Sequence, residues 1–288
     1  MYIDINGKKR QKVGLHIHTS ISDGAWSPEK VKESYRSQGY DAIALTDHWK
    51  YGENGEDNGM TIISGAEYNV GGNTTEQGVF HIVGLFMEKE PTLDPKGDAQ
   101  SVIDGIHAVG GLAVLAHPAW SLNTPEMILK LRDVDATEIY NTVSEKGQSF
   151  RADSSVIVDQ IASRGLNLPL LATDDAHMYD GIDNGIAYIM AECETNSAED
   201  IKKAIVEKRF YASQGPEVHL YREGNKFRVE CSPVSHIFFA SNIAWCRRAT
   251  HGENLTSAEY TSVAGELFVR AFVIDAEGRS AWTNIIEL

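Results

Sequence analysis

Long hydrophobic runs are absent from this sequence, and cysteine is scarce. No segment reaches the roughly 18 consecutive apolar residues that a membrane-spanning helix needs, and the opening MYIDINGKKRQKVG lacks the apolar core of a secretory signal. The three cysteines, Cys193, Cys231 and Cys246, lie far apart and form no Cys-x-x-Cys motif. This spacing predicts no disulfide framework. We therefore expect a cytoplasmic protein that has no membrane partner.

Positive charge is also in short supply. The 288 residues include 26 Lys and Arg against 41 Asp and Glu, which gives a formal net charge of −15 at pH 7. A surface that binds long nucleic acid needs clustered basic residues, so this balance argues against such a partner. A small anionic substrate remains compatible, because bound divalent cations can reverse the sign of the charge inside a site.

Short apolar runs alternate with amphipathic segments between about residues 12 and 214. The predicted strands are 13–18, 42–46, 61–64, 80–86, 112–116, 136–140 and 168–172. Helices are predicted between them in SPEKVKESYRSQG, DAQSVIDGIHAVGG, TPEMILKLRDV and SSVIVDQIASRG. The first has Ser27 as N-cap, Pro28 at its first position and Gly39 after its end. This alternation predicts an α/β fold with a largely parallel sheet, closed as a barrel.

The pattern changes near residue 216. Only short strand-like runs follow, with turn signals at Glu223-Gly224-Asn225 and Ala276-Glu277-Gly278. We therefore predict two domains: an α/β barrel over residues 1–215 and a small all-β, sandwich-like domain over residues 216–288.

Histidines and acids recur at the ends of the predicted strands. On a strand, side chains two residues apart share a face, so His16 and His18 are side by side. Burying many imidazoles and acids without a metal would leave costly unpaired groups. Imidazole and carboxylate suit Zn, Mn or Fe, and the set exceeds what one ion needs, which predicts a multinuclear site. Nine candidate ligands occupy such positions: His16, His18, Asp23, His48, Glu67, His81, His117, Asp174 and His177.

The order of these motifs resembles the polymerase and histidinol phosphatase (PHP) superfamily. The chain shows His-x-His, Asp, Thr-Asp-His, Glu, His, His-Pro and Asp-x-x-His in that order. The resemblance covers about residues 12–214 and implies a distorted seven-stranded (β/α) barrel with a trinuclear site. The β-rich segment after YASQGP further resembles the branch named after the carbamate hydrolases CehA and McbA.

The resemblance also implies how the ligands are shared among two to three divalent ions. His16, His18, Glu67 and Asp174 would hold one ion, and Glu67 would bridge to a second. His81 and His117 would complete that second site, and a third would use Asp23, His48 and His177. Many family members carry histidine at the position of Asp23. Many also have one residue fewer in the last motif, so Asp175 is an alternative to Asp174.

Such a site implies hydrolysis of a phosphoester by a hydroxide that bridges two metals. The substrate would be a phosphomonoester or small phosphodiester, such as a nucleotide or sugar phosphate. Glu67, Asp174 and His177 are the predicted catalytic residues. The predicted substrate contacts are Glu138, Asn141 and Arg209.

Three alternatives stay open at this point. An amidohydrolase-like enzyme would hydrolyse an amide, ester or carbamate at the same centre, although that superfamily commonly bridges its metals with a modified lysine. A non-catalytic metal-binding or carbohydrate-binding module would use the β domain. A nuclease would act on nucleic acid, which the acidic charge disfavours unless the substrate is short.

Overall fold

The computed structural model describes residues 2–76, 78–245 and 248–288, so Cys246 lies outside the described residues. Its first helix begins where the capping pattern predicts: the Ser27 side chain accepts from the Lys30 N–H, and Pro28 opens the helix. None of the described helices is long and apolar enough to cross a membrane. The helices are α1 (Pro28–Ser37), α2 (Ala99–His107), α3 (Pro125–Ile128), α4 (Ser155–Ala162) and α5 (Ala198–Val206), together with a π-helical segment, Val143–Ser149.

Eighteen strands occur in the described part of the chain. They are β1 (Tyr2–Ile3), β2 (Lys9–Gly14), β3 (Ala42–Ala44), β4 (Gly55–Asp57), β5 (Met60–Ile63), β6 (Gly65–Val70), β7 (Phe80–Leu85), β8 (Leu112–Leu115), β9 (Ala136–Asn141), β10 (Leu170–Thr173), β11 (Tyr188–Glu192), β12 (Phe210–Ser213), β13 (Val218–Glu223), β14 (Lys226–Ala240), β15 (Ala249–Thr261), β16 (Phe268–Ile274), β17 (Ser280–Thr283) and β18 (Ile286–Glu287).

These strands form two sheets that meet at two seams. One sheet runs β13-β14-β16-β17-β12-β11-β2-β3-β5-β4, and the other runs β10-β9-β8-β7-β6. At one seam, the Asp175 N–H donates to the His16 carbonyl over 2.9 Å. At the other, the Glu67 N–H donates to the Thr46 carbonyl over 3.1 Å. The seams close the sheets into a ring around apolar side chains such as Leu15 and Val114, which confirms a mixed α/β fold.

One hairpin in the ring runs against the predicted parallel order. β2, β3 and β5 are parallel, as are β8, β9 and β10, but β7 is antiparallel to both β6 and β8. The expectation of a largely parallel sheet is wrong here, because β6 and β7 are joined by a direct hairpin instead of a helix. β6 was not predicted, although Ala66, Tyr68 and Val70 alternate with polar residues in GAEYNV and are buried in the core.

The C-terminal strands continue the first sheet beyond the predicted boundary at residue 216. β12 pairs with β11 on one side and with β17 on the other. Arg270 on β16 adds a bidentate ion pair to Asp159 on α4, with N–O distances of 2.7 and 2.9 Å. The β-rich segment is therefore fastened to the ring by backbone pairing and by a buried guanidinium.

Candidate metal centre

Nine side chains that can bind metal lie at one rim of the ring, and they come from different strands and the loops that follow them. His16 and His18 follow β2, and His48 follows β3. His117 follows β8. His81 is the second residue of β7, yet it lies at the same rim because β7 runs in the opposite direction to its neighbours. Topology thus gathers residues that are far apart in sequence.

Glu67 lies at the middle of this group and is almost completely buried. Its Oε2 lies 3.3 Å from His16 Nε2 and 3.1 Å from His18 Nε2. Its Oε1 lies 2.8 Å from His81 Nδ1 and 3.3 Å from His117 Nε2. The two oxygens of one carboxylate therefore face two different pairs of imidazoles.

Three groups of potential ligand atoms result, and in each group the atoms lie within 4.8 Å of one another. Glu67 belongs to two of the groups, because each of its two carboxylate oxygens faces a different group. His18 also belongs to two, because its Nε2 faces Glu67 while its Nδ1 lies 3.5 Å from Asp23. The groups are His16, His18, Glu67 and Asp175; Glu67, His81 and His117; and His18, Asp23, His48 and His177.

The structure corrects the prediction of Asp174 as a ligand. Its carboxylate points away from the histidines and accepts hydrogen bonds from Tyr35 (2.7 Å) and from the backbone N–H groups of residues 185–187 (2.6–3.0 Å). Asp175 takes the place in the cluster, with Oδ1 3.2 Å from Nε2 of both His16 and His18. The two acids diverge because Asp175 has a left-handed backbone, with φ of 52°.

Glu138 and Asn141 lie behind the cluster and do not line its open side, in contrast to their prediction as substrate contacts. Both are fully buried. Glu138 accepts a hydrogen bond from His16 Nδ1 (2.7 Å), which leaves His16 Nε2 free to face Glu67 and Asp175. Asn141 Nδ2 donates to Glu138 (2.8 Å) and to Asp175 Oδ2 (3.2 Å). These two residues therefore orient candidate ligands.

Arg209 lies away from the cluster, in contrast to its prediction as a substrate contact. Its Nε donates to Glu207 over 2.6 Å. Its carbonyl pairs with Glu192, which is opposite Arg10 near the start of β2. The cluster follows the other end of β2. The chain reverses through α5 before β12, which carries Arg209 to the far side of the ring.

Two buried polar atoms in the cluster have no hydrogen-bond partner: Asp175 Oδ1 and His48 Nδ1. Both nevertheless point at other candidate ligands about 3.2 Å away. Ligand atoms around a tetrahedral ion with bonds of about 2.1 Å lie about 3.4 Å apart. A divalent ion would therefore satisfy atoms that the protein alone leaves unpaired, and the donor set fits such ions.

The backbone at the rim is strained at two of these residues. His117 has φ of 28° and Asp175 has φ of 52°, values that residues other than glycine seldom adopt. His117 also precedes Pro118, a position that normally favours extended backbone. Such strain commonly marks residues whose side-chain direction is set by function.

Burial and charge act in opposite directions on the histidines of the cluster. Burial lowers the pKa of His16, but Asp175, Glu67 and Glu138 outweigh it and raise that pKa well above its ordinary value. The pKa of His18 is raised in the same way by Asp175, Asp23 and Glu67, against the effect of burial. The metal-free protein is therefore expected to hold protons on these imidazoles near pH 7.

Metal binding should consequently release protons, because only neutral imidazole binds a metal. We expect at least one proton to be released per chain at pH 7, and an affinity for divalent ions that falls as the pH falls. Isothermal titration of metal-free protein in two buffers with different ionisation enthalpies measures the number released. Heats that are equal in the two buffers would contradict this expectation.

A fourth group, Asp4, Glu217 and His219, is buried on another part of the molecule. Its polar atoms are already paired within the protein. Arg10 Nε donates to Asp4 (2.7 Å), and His219 Nε2 donates to Glu217 (2.7 Å). These contacts describe a buried ion-pair network that ties the N-terminal hairpin to β13, and they leave no unpaired atom for an ion.

The chain is similar to known proteins in sequence over its first half and in fold over its whole length. The family model of the PHP domain matches residues 14–151. No curated protein matches the chain in sequence. A two-domain protein from Bacteroides vulgatus that contains a predicted PHP-like metal-dependent phosphoesterase is 15% identical, with a TM-score of 0.58 over 100% of this chain and 97% of its own.

The lesion-specific endonuclease PfuEndoQ from Pyrococcus furiosus is 17% identical, with a TM-score of 0.51 over 69% of this chain and 56% of its own. At such identities these similarities show the fold alone. The sequence match includes seven residues of the candidate metal centre, from His16 to His117, whereas Asp175 and His177 follow it. Residues 14–151 of the chain therefore match the PHP domain, and this segment carries most of the candidate metal centre.

Proposed function

We propose that this protein is a metal-dependent hydrolase of small phosphoesters. The observation that carries the proposal is the division of Glu67, whose two carboxylate oxygens face separate pairs of imidazoles at 2.8–3.3 Å. A carboxylate in this position can be shared by two ions. The substrate would be a phosphomonoester or a small phosphodiester, such as a nucleotide or a sugar phosphate.

The residues at hand would hold up to three divalent ions. His16, His18, Glu67 and Asp175 would hold one, and Glu67, His81 and His117 a second. Asp23, His48 and His177 would hold a third at the more open side, where the Asp23 side chain is 53% exposed. When bound, such ions lower the pKa of water toward neutrality and neutralise charge on phosphoryl oxygens.

The protein's own contribution is to fix the positions of these ligands. Glu138 holds His16 in one tautomer, and Asn141 holds Asp175. Ser121 lies 3.1 Å from His117 Nδ1, which leaves Nε2 directed at Glu67. The site is thus organised before substrate arrives, which reduces the reorganisation needed in the transition state.

Hydrolysis of an amide, ester or carbamate is the main competing function, because the same nucleophile can attack a carbonyl carbon. Two features support the phosphoester. The shared ligand is a glutamate, and a third group of ligands is present, which would add positive charge opposite a phosphoryl group.

The first experiment combines metal analysis with parallel assays. Metal content is measured by elemental analysis, and the same sample is assayed with 4-nitrophenyl phosphate, 4-nitrophenyl acetate and an aryl carbamate. We expect two to three ions per chain and turnover of the phosphate that is lost on chelation and restored by Zn, Mn or Fe. Turnover of only the ester or carbamate would support the competing function. Absence of both metal and turnover after reconstitution would overturn both.

A further inference from the structure

A cavity of about 590 Å³ opens beside His81. It is bounded by the hairpin loop at residues 71–75, by Trp120 and by Arg151. We call this cavity the side pocket. It exists because β6 and β7 form a hairpin, so the loop between them projects from the rim that carries the metal ligands.

The charge of the side pocket is opposite to that of the protein. The chain has a net charge of −15. None of the described residues lining the pocket is Asp or Glu, however, and Arg151 is the only Lys or Arg among them. An anion that enters the pocket is therefore attracted by the Arg151 guanidinium and is not repelled by any carboxylate among the described lining residues.

Arg151 keeps its guanidinium available. Its backbone N–H donates to Ser144 over 2.9 Å, but among the described residues its side chain has no hydrogen bond or ion pair. By contrast, Arg270 pairs with Asp159, and Arg279 pairs with Asp275. An unpaired arginine in an acid-rich protein is suited to bidentate recognition of an external carboxylate or phosphate.

The segment before Arg151 fixes its position. The π-helical segment Val143–Ser149 ends at Phe150, which adopts φ of 59°, an unusual value for an aromatic residue. The Phe150 N–H donates to Glu145 over 2.9 Å. On the facing wall, the Trp120 ring lies edge-to-face with His81, with ring centroids 5.5 Å apart. The pocket is thus lined by the aromatic ring of Trp120, which contacts the candidate metal ligand His81, and by the guanidinium of Arg151.

We propose that the side pocket receives the leaving group of the substrate and that Arg151 binds a second anionic group on it. The preferred substrates are then small phosphoesters that carry a carboxylate or a second phosphate beyond the scissile bond. The inference rests on the proposed function. It adds Arg151 as a specificity-determining residue and Trp120 as the wall against which the leaving group packs.

The test uses substrates that differ only in the second anion. Phenyl phosphate is compared with 3- and 4-carboxyphenyl phosphate for the wild-type protein, for Arg151→Gln and for Arg151→Lys. Arg164→Gln is the matched control, since it removes the same charge from an exposed arginine that pairs with Glu126 elsewhere on the surface. Metal content is measured for each sample.

We expect the wild-type protein to prefer a carboxyphenyl phosphate. Arg151→Gln should lower kcat/KM for that substrate by about 10- to 100-fold, mainly through KM, and change it for phenyl phosphate by less than about 3-fold. Arg151→Lys should restore part of the loss, and Arg164→Gln should behave as wild type. Equal effects on both substrates, or none on either, would overturn the inference while leaving the proposed function intact.

Binding gives a readout that does not depend on hydrolysis. The affinities of phenylphosphonate and the corresponding carboxyphenylphosphonates, which are not cleaved, are measured by calorimetry on metal-loaded protein. Arg151→Gln should weaken only the carboxylated ligands, by about 10-fold or more. If neither phosphate ester is hydrolysed, the proposed function fails. Carboxylate-selective binding that depends on Arg151 would still support the anion site, and its absence would overturn it.

Discussion

Replacing Glu67 by glutamine is expected to lower turnover by about 1000-fold or more and to reduce the metal content of the protein. The two side chains have nearly the same shape, but glutamine carries no charge and places an amide N–H₂ where one oxygen was. That group would face either His16 and His18 or His81 and His117. Metal-assisted hydrolysis gains several kcal/mol from the ions, and each 1.36 kcal/mol is tenfold in rate.

Glu138→Gln is the matched control for this substitution. Glu138 is equally buried and also contacts His16, but it lies behind the imidazole and faces no other candidate ligand pair. Loss of such an orienting contact typically costs 10- to 100-fold in metal affinity or activity. Elemental analysis, kinetics and thermal unfolding are compared for both variants. If Glu67→Gln retained full metal content and activity, a shared role for this carboxylate would be wrong.

Much of the candidate centre could be predicted from sequence because its residues interrupt apolar strand runs. His16 and His18 follow a run whose buried residues form the core, and His117 follows LAVLA in the same way. A polar residue at the end of a buried strand has few structural uses, so its position is informative. The strand alternation likewise identified the ring, since its parallel pairs need intervening helices.

The remainder depends on three-dimensional relations that no local pattern encodes. Whether β7 runs parallel or antiparallel is decided by the length of its connection to an unrecognised strand. Arg209 is next to a buried strand, as the candidate ligands are. It precedes β12, however, whereas ligands such as His16 and His117 follow their strands, so it lies at the opposite end of the ring. Arg151 shows no motif at all. Its proposed role follows only from the cavity beside it, which the loop of the β6–β7 hairpin also lines.

Substitutions of the neighbouring acids Asp174 and Asp175 are expected to differ in their effects on metal content. Asp175→Asn should remove at least one ion per chain and lower activity by about 100-fold or more, because its unpaired Oδ1 lies 3.2 Å from both His16 and His18. The stability of the metal-free protein at pH 7 should fall as well, because Asp175 is the buried counter-charge of His16 and His18, whose pKa values it raises.

Asp174→Asn should lower stability without any loss of metal. Burial raises the pKa of Asp174 to about 6, although hydrogen bonds from Ala187, Tyr35 and Gly185 act against this. An asparagine here would turn N–H₂ toward some of these donors and leave buried groups unpaired. We expect the free energy of unfolding at pH 7.5 to fall by about 1–3 kcal/mol, with metal content retained.

The pair is informative because one chemical change is made at adjacent positions. A general effect of losing an acid near the rim would move metal content and stability together in both variants. The structure instead predicts that metal content separates the two variants: elemental analysis responds to position 175 alone, whereas denaturant unfolding responds at both positions. Metal loss in Asp174→Asn with full loading in Asp175→Asn would overturn the assignment of Asp175 and would mean that Asp174 belongs to the first ligand group.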